Sequence, residues 1–211
     1  MRLFSFQDQQ GHHSLGALSG KDSSQYIDLC ATDPNIPKDL LALIQRDPEL
    51  TQARRALLNP QAVIHNLSDI RFTPLIHRPE KIICLGLNYA DHAKEGGHAR
   101  PDYPSFFMRG PSSLTAHQAP IIRPQASAKL DYEAELAFVM GKRAKHCSLE
   151  NALEHVVGYS IFNDGVCAII NVSQPNGSLV KTLTKRAPLA HGLSPPMSYQ
   201  WAPAVCKFSL A

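Results

Sequence analysis

This 211-residue chain contains two glutamates and a later aspartate whose types and spacing suggest chemistry. Glu133 and Glu135 lie two positions apart within Asp131–Met140, an apolar stretch that predicts a β-strand. Residues i and i+2 of a strand share one face, where two neighbouring carboxylates repel each other. A hard divalent cation would relieve that repulsion, and Asp164, at the end of a later predicted strand, could supply a third oxygen ligand.

Periodicity alone favours a different orientation of this predicted strand. Glu133 and Glu135 would then face solvent, and Tyr132, Ala134 and Leu136 would face the core. The residue pattern leaves both orientations open.

A histidine and a glutamate form a second group with catalytic potential. His92 and Glu95 are three residues apart in Tyr89–Glu95, a short predicted helix that ends at Gly96 and Gly97, so they share one side of that helix. A carboxylate beside a histidine orients the ring and raises its basicity, as a general base requires. A solvated surface pair would show the same spacing.

The elements that must position these residues begin after a different N-terminal region. Residues 1–75 predict a small α/β unit, and Ile70–Glu80 predicts a linker. The elements predicted within that unit are strands at Arg2–Phe6 and Ser24–Leu29 and helices at Lys38–Arg46 and Pro48–Leu58. The elements predicted after it are strands at Lys81–Leu85, Ser105–Arg109, Asp131–Met140 and Gly158–Asn163, and helices at Tyr89–Glu95 and Leu149–His155.

Composition excludes several classes of protein. With 44% hydrophobic and 18% charged residues, the chain resembles a globular protein rather than a disordered or fibrous one. It has no apolar run of about 20 residues, no signal-peptide pattern and five scattered cysteines, so we expect a cytoplasmic protein without membrane contact. The excess positive charge lies entirely after Asp164, and no basic face with interleaved aromatic residues is visible, so we expect no nucleic-acid partner.

Four stretches of sequence, taken in order, resemble the fumarylacetoacetate hydrolase family, and most closely its bacterial branch of acylpyruvate hydrolases and related enzymes of aromatic-compound catabolism. They are ICLGLNYADHAKE at 83–95, PSFFMRGPSSL at 104–114, DYEAELAFVMGK at 131–142 and GYSIFNDG at 158–165. The resemblance implies an α+β fold, a mixed β-roll with flanking helices after the small N-terminal unit. It also implies a homodimer.

The same resemblance implies roles for individual residues. Glu133, Glu135 and Asp164 match the metal ligands of the family, whose ion is usually Mg²⁺ and sometimes Mn²⁺ or Ca²⁺. His92 and Glu95 match the pair that activates water.

A further role concerns the substrate, for which the resemblance implies a small 2-oxo acid. Arg109 lies near the implied substrate pocket, where a lysine is more usual. The implied reaction is metal-dependent hydrolysis of a carbon–carbon bond in an acylpyruvate-type acid through an enolate. Decarboxylation, isomerisation and hydration are alternatives that would use the same enolate.

The resemblance ends after Gly165. Allowed codons for Val166–Asn171, read with one fixed offset, give V-R-D-Y-Q, and Val180–Thr184 gives G-K-N-F-D at the same offset. Both strings resemble the continuation of the family. We therefore expect residues 166–211 to be an out-of-frame tail with little order, although a natural basic extension is an alternative.

This expectation divides the chain into an N-terminal domain at 1–75, a partial catalytic domain at 76–165 and the tail. A truncated catalytic domain raises a second functional hypothesis. In that hypothesis the chain is a catalytically inactive fragment that binds at most a divalent cation.

Overall fold

The structure, a computed structural model, describes residues 1–19, 24–95, 97, 99, 101–125, 127–167 and 187–188. The N-terminal part forms a five-stranded antiparallel sheet of order β4-β3-β2-β1-β5. Its strands are β1 (Leu3–Gln7), β2 (His13–Leu18), β3 (Gln25–Asp28), β4 (Ile64–Asn66) and β5 (Arg71–Phe72). The helices between β3 and β4 are α1 (Leu29–Thr32), α2 (Leu40–Arg46) and α3 (Thr51–Leu57).

Side-chain caps and apolar spacing explain where these helices form. The carboxylate of Asp39 accepts a hydrogen bond from the Ala42 amide at 2.9 Å and so caps the start of α2. Leu40, Leu43 and Ile44 then lie on one buried face of the helix, as their spacing predicts.

An aromatic cluster explains why the predicted linker contains a strand. Phe72 lies 5.4 Å from the ring of Phe4, which itself lies 5.5 Å from Tyr26. The pairing of Phe72 with Phe6 adds β5 to the edge of the sheet. The prediction of a linker over Ile70–Glu80 was therefore wrong at Arg71–Phe72, because burial of one aromatic ring favours strand pairing there.

The second part of the chain consists mostly of paired strands. Its elements are β6 (Ile82–Gly86), α4 (Ala90–Glu95), β7 (Ser105–Arg109), β8 (Leu114–Thr115), β9 (Leu130–Asp131), β10 (Ala134–Met140), β11 (Val156–Asn163), β12 (Val166–Cys167) and β13 (Ala187–Pro188). The pairs β6–β7, β10–β11 and β9–β12 are antiparallel, and β8–β13 is parallel. Strands outnumber helices, and the predicted α+β class is confirmed.

The N-terminal core also supports the β10–β11 pair. Val157 of β11 belongs to the apolar cluster built around α2 and α3, and Val139 of β10 packs against that cluster. Just after β10, Lys142 forms an ion pair with Glu49 at 2.6 Å. One end of the β10–β11 pair is therefore held by residues of the N-terminal sheet and helices.

Two further predictions of secondary structure need correction. Leu149–His155 forms a turn and a short 3₁₀ helix at Ala152–His155 instead of an α-helix. Leu149 and Leu153 are 87% and 66% exposed, so no packed apolar face stabilises a longer helix. The predicted buried strand at Lys81–Leu85 is buried on one face alone, since Cys84 is buried whereas Ile83 is 61% exposed.

None of the helices within the described ranges has the length and apolar character that a membrane-spanning segment needs. Of the predicted tail, the structure describes β12 and β13, and the rest of 166–211 lies outside the described residues. The predicted low order of the tail therefore stays a prediction.

Candidate metal centre

Three carboxylates meet beside the β10–β11 pair. One oxygen from each of Glu133, Glu135 and Asp164 lies within 4.8 Å of the others. The two glutamates are half-buried and Asp164 is fully buried. These three residues are called the carboxylate cluster below.

The cluster lies at a short interruption of the strand ladder, where Glu133 and Asp164 are neighbours on adjacent strands. The predicted strand Asp131–Met140 is split into β9 and β10, and Tyr132 and Glu133 stand between them. The Glu133 amide donates to the side-chain oxygen of Asn163 at 3.1 Å, and its carbonyl accepts from the Asp164 amide at 2.8 Å. The second bond keeps the register of the flanking pairs Ala134–Asn163 and Asp131–Val166, so Glu133 and Asp164 lie opposite each other.

The orientation that periodicity favoured was wrong. Tyr132 is 76% exposed and Ala134 is exposed, so the face opposite the glutamates is turned to solvent. Phe138 and Met140, on the same outer face, are 59% and 45% exposed. Apolar side chains at alternate positions therefore did not identify the inner face of this strand.

The donor set fits a hard divalent cation. Carboxylate oxygens are the ligands that Mg²⁺, Mn²⁺ and Ca²⁺ prefer in proteins. Three carboxylates this close, one of them without contact to solvent, repel one another unless positive charge lies between or beside them. An ion between the three groups would supply that charge.

A buried arginine supplies positive charge on one side of the cluster. Arg109, the last residue of β7, forms an ion pair through Nη1 with Asp164, and both side chains are 0% exposed. Its Nε donates to the hydroxyl of Ser113 at 3.3 Å, and its guanidinium carbon lies 5.9 Å from the ring centre of Phe162. Nη2 is buried and has no hydrogen-bond partner among the described residues.

The predicted general base and its partner lie on α4. The structure gives the backbone of this helix, whereas the side chains of His92 and Glu95 lie outside the described residues. Their role as a catalytic pair stays a prediction.

A tyrosine joins the start of α4 to the strand of the cluster. The hydroxyl of Tyr89 accepts a hydrogen bond from the amide of Leu136 on β10 at 3.0 Å. Leu136 follows Glu135 directly, so this contact holds the residue before α4 beside the cluster.

Sequence reasoning missed Tyr89, Asn163 and Ser113 as supporting residues. Asn163 had a usable signal, because a polar residue directly before Asp164 at a strand end is well placed to bond neighbouring backbone. Tyr89 and Ser113 act on partners that depend on the folded chain, and no local pattern marks them.

The chain matches a known family over much of its length. Residues 81–207 match the family described as fumarylacetoacetate (FAA) hydrolase C-terminal. A mitochondrial oxaloacetate tautomerase of Xenopus laevis is 37% identical over 164 residues, which make up 78% of this chain and 51% of that relative. The chain thus spans about half the length of the curated relative.

Two solved structures share the fold. Fumarylacetoacetate hydrolase from the psychrophile Exiguobacterium antarcticum gives a TM-score of 0.73 at 28% identity, over 92% of this chain and 66% of that one. Maleylpyruvate hydrolase from Sphingobium sp. SYK-6, in complex with manganese(II) ion and pyruvate, gives a TM-score of 0.72 at 22% identity, over 95% of this chain and 69% of that one. The second likeness shows the fold alone. Together they confirm the fold class that the sequence predicts.

Proposed function

This chain belongs to the fumarylacetoacetate hydrolase family, and we propose that it converts a 2-oxo acid through an enolate at the carboxylate cluster. The observation that carries this proposal is the convergence of Glu133, Glu135 and Asp164 within 4.8 Å. The first candidate reaction is keto–enol tautomerisation of a 2-oxo dicarboxylic acid. It is favoured because the relative from Xenopus laevis is named as an oxaloacetate tautomerase.

The carboxylate cluster would hold Mg²⁺, or Mn²⁺ or Ca²⁺ in its place. When bound, such an ion acts as a Lewis acid toward the oxygens of a 2-oxo acid and stabilises the negative charge that develops on them. The half-buried position of Glu133 and Glu135 leaves that side of the cluster open to a ligand.

Arg109 is suited to hold the carboxylate of the substrate. Its Nη1 and Nε are engaged by Asp164 and Ser113, which fixes the plane of the guanidinium. The remaining buried nitrogen, Nη2, lacks a partner among the described residues. A charge-assisted hydrogen bond from Nη2 to a substrate carboxylate would satisfy it and orient the substrate.

His92 would move the proton, with Glu95 as the residue that orients its ring. In tautomerisation His92 takes a proton from the carbon next to the 2-oxo group, and a proton is returned to the oxygen, so no co-reactant is consumed. Support comes from the Tyr89 hydroxyl, whose bond to the Leu136 amide ties the start of α4 to β10.

A second candidate is hydrolysis of a carbon–carbon bond in an acylpyruvate-type acid. It is favoured because the structural relative from Exiguobacterium antarcticum, 28% identical, is named as a fumarylacetoacetate hydrolase, and His92 could equally serve as the base that activates water. His92 would take a proton from water while the oxygen adds to a carbonyl. The carbon–carbon bond then breaks, and the departing carbanion, stabilised as an enolate, takes a proton.

The two reactions are separated by assaying both substrate classes with one set of variants. Decay of enol-oxaloacetate is followed by its ultraviolet absorbance, and cleavage of an acylpyruvate by release of pyruvate. We expect activity in the presence of Mg²⁺ and none after EDTA is added. Glu135→Gln should lower this activity by about a hundredfold or more. Glu150→Gln, the same change at an exposed position, should leave it unaltered. Full activity of Glu135→Gln would contradict the proposal.

The base is tested separately. His92→Asn should abolish turnover of either substrate without weakening cation binding. His146→Asn is the matched control, because His146 is exposed and has a φ of 53°, which asparagine tolerates. Wild-type rates in His92→Asn would exclude His92 as the base.

Some predictions about the whole protein go with this proposal. The homodimer and the cytoplasmic location stay predictions, as does the division at residues 75 and 165. The family match extends to residue 207, past Gly165, and the frame-shift origin of the tail also stays a prediction, which sequencing the gene across that codon tests. Cation binding without turnover of either substrate would favour the inactive-fragment alternative.

A further inference from the structure

Arg109 is the most deeply buried cation described in the second part of the chain, and its partner is a member of the carboxylate cluster. The residue is 2% exposed, and its side chain and that of Asp164 have no contact with solvent. Ser113 and the ring of Phe162 hold the guanidinium from other sides. This is a fixed arrangement rather than a mobile surface ion pair.

The charges explain what such an arrangement does before a cation binds. An unpaired carboxylate without solvent contact is strongly disfavoured, and nearby Glu133 and Glu135 add repulsion. The guanidinium of Arg109 offsets the charge of Asp164 directly. Arg109 therefore supplies part of the positive charge that the cluster needs when no metal ion is bound.

The positive charge of Arg109, which stabilises the carboxylates, disfavours a second cation that enters the cluster. A divalent cation that binds Asp164 meets a guanidinium bonded to the same carboxylate and is repelled by it. Because this inference rests on the proposed metal site, it deepens that proposal rather than replacing it. We propose that Arg109 is an internal counter-ion that stabilises the metal-free site and lowers its affinity for the divalent cation.

A purely aiming role for Arg109 makes the opposite prediction. If the arginine served to point Asp164 at the ion, its removal would weaken cation binding. If it is a counter-ion, its removal strengthens cation binding and at the same time makes folding depend on the cation. Affinity for Mn²⁺ in the absence of substrate separates these two roles without any measurement of activity.

The experiment compares Arg109→Met, which is neutral, unbranched and apolar, with Arg109→Lys, which keeps the charge. Arg143→Met is the matched control, since Arg143 is exposed. Mn²⁺ affinity is measured by calorimetric titration, and thermal unfolding is followed in EDTA and in saturating Mn²⁺. We expect Arg109→Met to bind Mn²⁺ about tenfold more tightly than the unsubstituted chain does. Arg109→Lys should bind Mn²⁺ with nearly the affinity of the unsubstituted chain.

The unfolding data should show the other half of the effect. In EDTA, Arg109→Met should have a lower melting temperature than the unsubstituted chain. Saturating Mn²⁺ should raise the melting temperature of Arg109→Met by more than it raises that of the unsubstituted chain. If Arg109→Met does not fold in EDTA, Arg109→Gln serves instead, because its shorter amide can replace Nε beside the Ser113 hydroxyl without carrying charge. Arg109→Gln should bind Mn²⁺ more tightly as well.

Each outcome is informative. Unchanged or weaker Mn²⁺ binding in the neutral variants would overturn the counter-ion role while leaving the metal site intact. Absence of Mn²⁺ binding in the unsubstituted chain would overturn the metal site and this inference with it. Tighter binding in Arg143→Met would show that the effect is one of net charge and would also overturn it.

Discussion

Breaking the buried pair of Arg109 and Asp164 should cost a large share of the stability of this chain. Both side chains are 0% exposed, so solvent does not screen the interaction. Two unit charges in contact attract by about 4 kcal/mol at an effective dielectric constant of ~20. Loss of one partner leaves the other charge buried and unpaired, which costs about 3–5 kcal/mol in such pairs.

The perturbation is a double-mutant cycle in EDTA. Asp164→Leu leaves the guanidinium unpaired, and Arg109→Met leaves the carboxylate unpaired. We expect each single variant to lose about 3–5 kcal/mol of unfolding free energy, against a total that is about 5–15 kcal/mol for most domains. The double variant replaces both charges by apolar groups and should recover to within about 1–2 kcal/mol of the original chain.

Urea denaturation followed by far-ultraviolet circular dichroism gives the four free energies. The coupling energy of the cycle isolates the pair from the packing of each side chain. Single variants that each lose under about 1 kcal/mol would refute the reasoning, because that is the range of exposed ion pairs. A double variant no more stable than the worse single variant would refute it as well.

Three other positions give sharp predictions. Gly141→Ala should cost about 1–3 kcal/mol by urea denaturation, because the added Cβ would lie 2.6 Å from Cβ of Val157; Gly141→Ala combined with Val157→Gly, which removes that Cβ, should cost less than the sum of the two single changes, and an unchanged midpoint in Gly141→Ala would contradict the close approach. Tyr89→Phe should cost about 1–2 kcal/mol and lower kcat, because the Leu136 amide loses its acceptor; an unchanged kcat would separate this contact from catalysis. Burial, and after it the charge of His13, lowers the pKa of His77 in the folded chain, so the unfolded chain binds more protons and the unfolding free energy falls as pH drops below about 6.5. Melting temperatures measured at several pH values should fall less toward acid in His77→Gln, and an unchanged acid slope would exclude this histidine as the cause.

The parts of the fold set by local patterns were predictable. The strand predicted at Ser105–Arg109 has those bounds in the structure, and α2 begins two residues inside its predicted range, at the residue after its Asp39 cap. Residue type and spacing suggested the three members of the carboxylate cluster, the family resemblance assigned them as ligands, and the structure brings them together.

The parts that depend on distant partners were not predictable. The contact between Arg109 and Asp164 joins residues 55 positions apart, and no local pattern encodes it. Tyr132 lies with Phe138 and Met140 on an exposed face, although apolar residues at alternate positions usually mark the buried face of a strand. Phe72 pairs in a strand because of an aromatic cluster assembled from β1 and β3.

The most direct test is crystallographic. Crystals of the chain grown with Mn²⁺ would be measured near the manganese absorption edge, and the anomalous difference map would be inspected at the carboxylate cluster. We expect one strong peak about 2.0–2.6 Å from an oxygen of each of the residues at 133, 135 and 164. A map with no peak there, or one in which these carboxyl groups point apart, would contradict the metal site on which the proposed function depends.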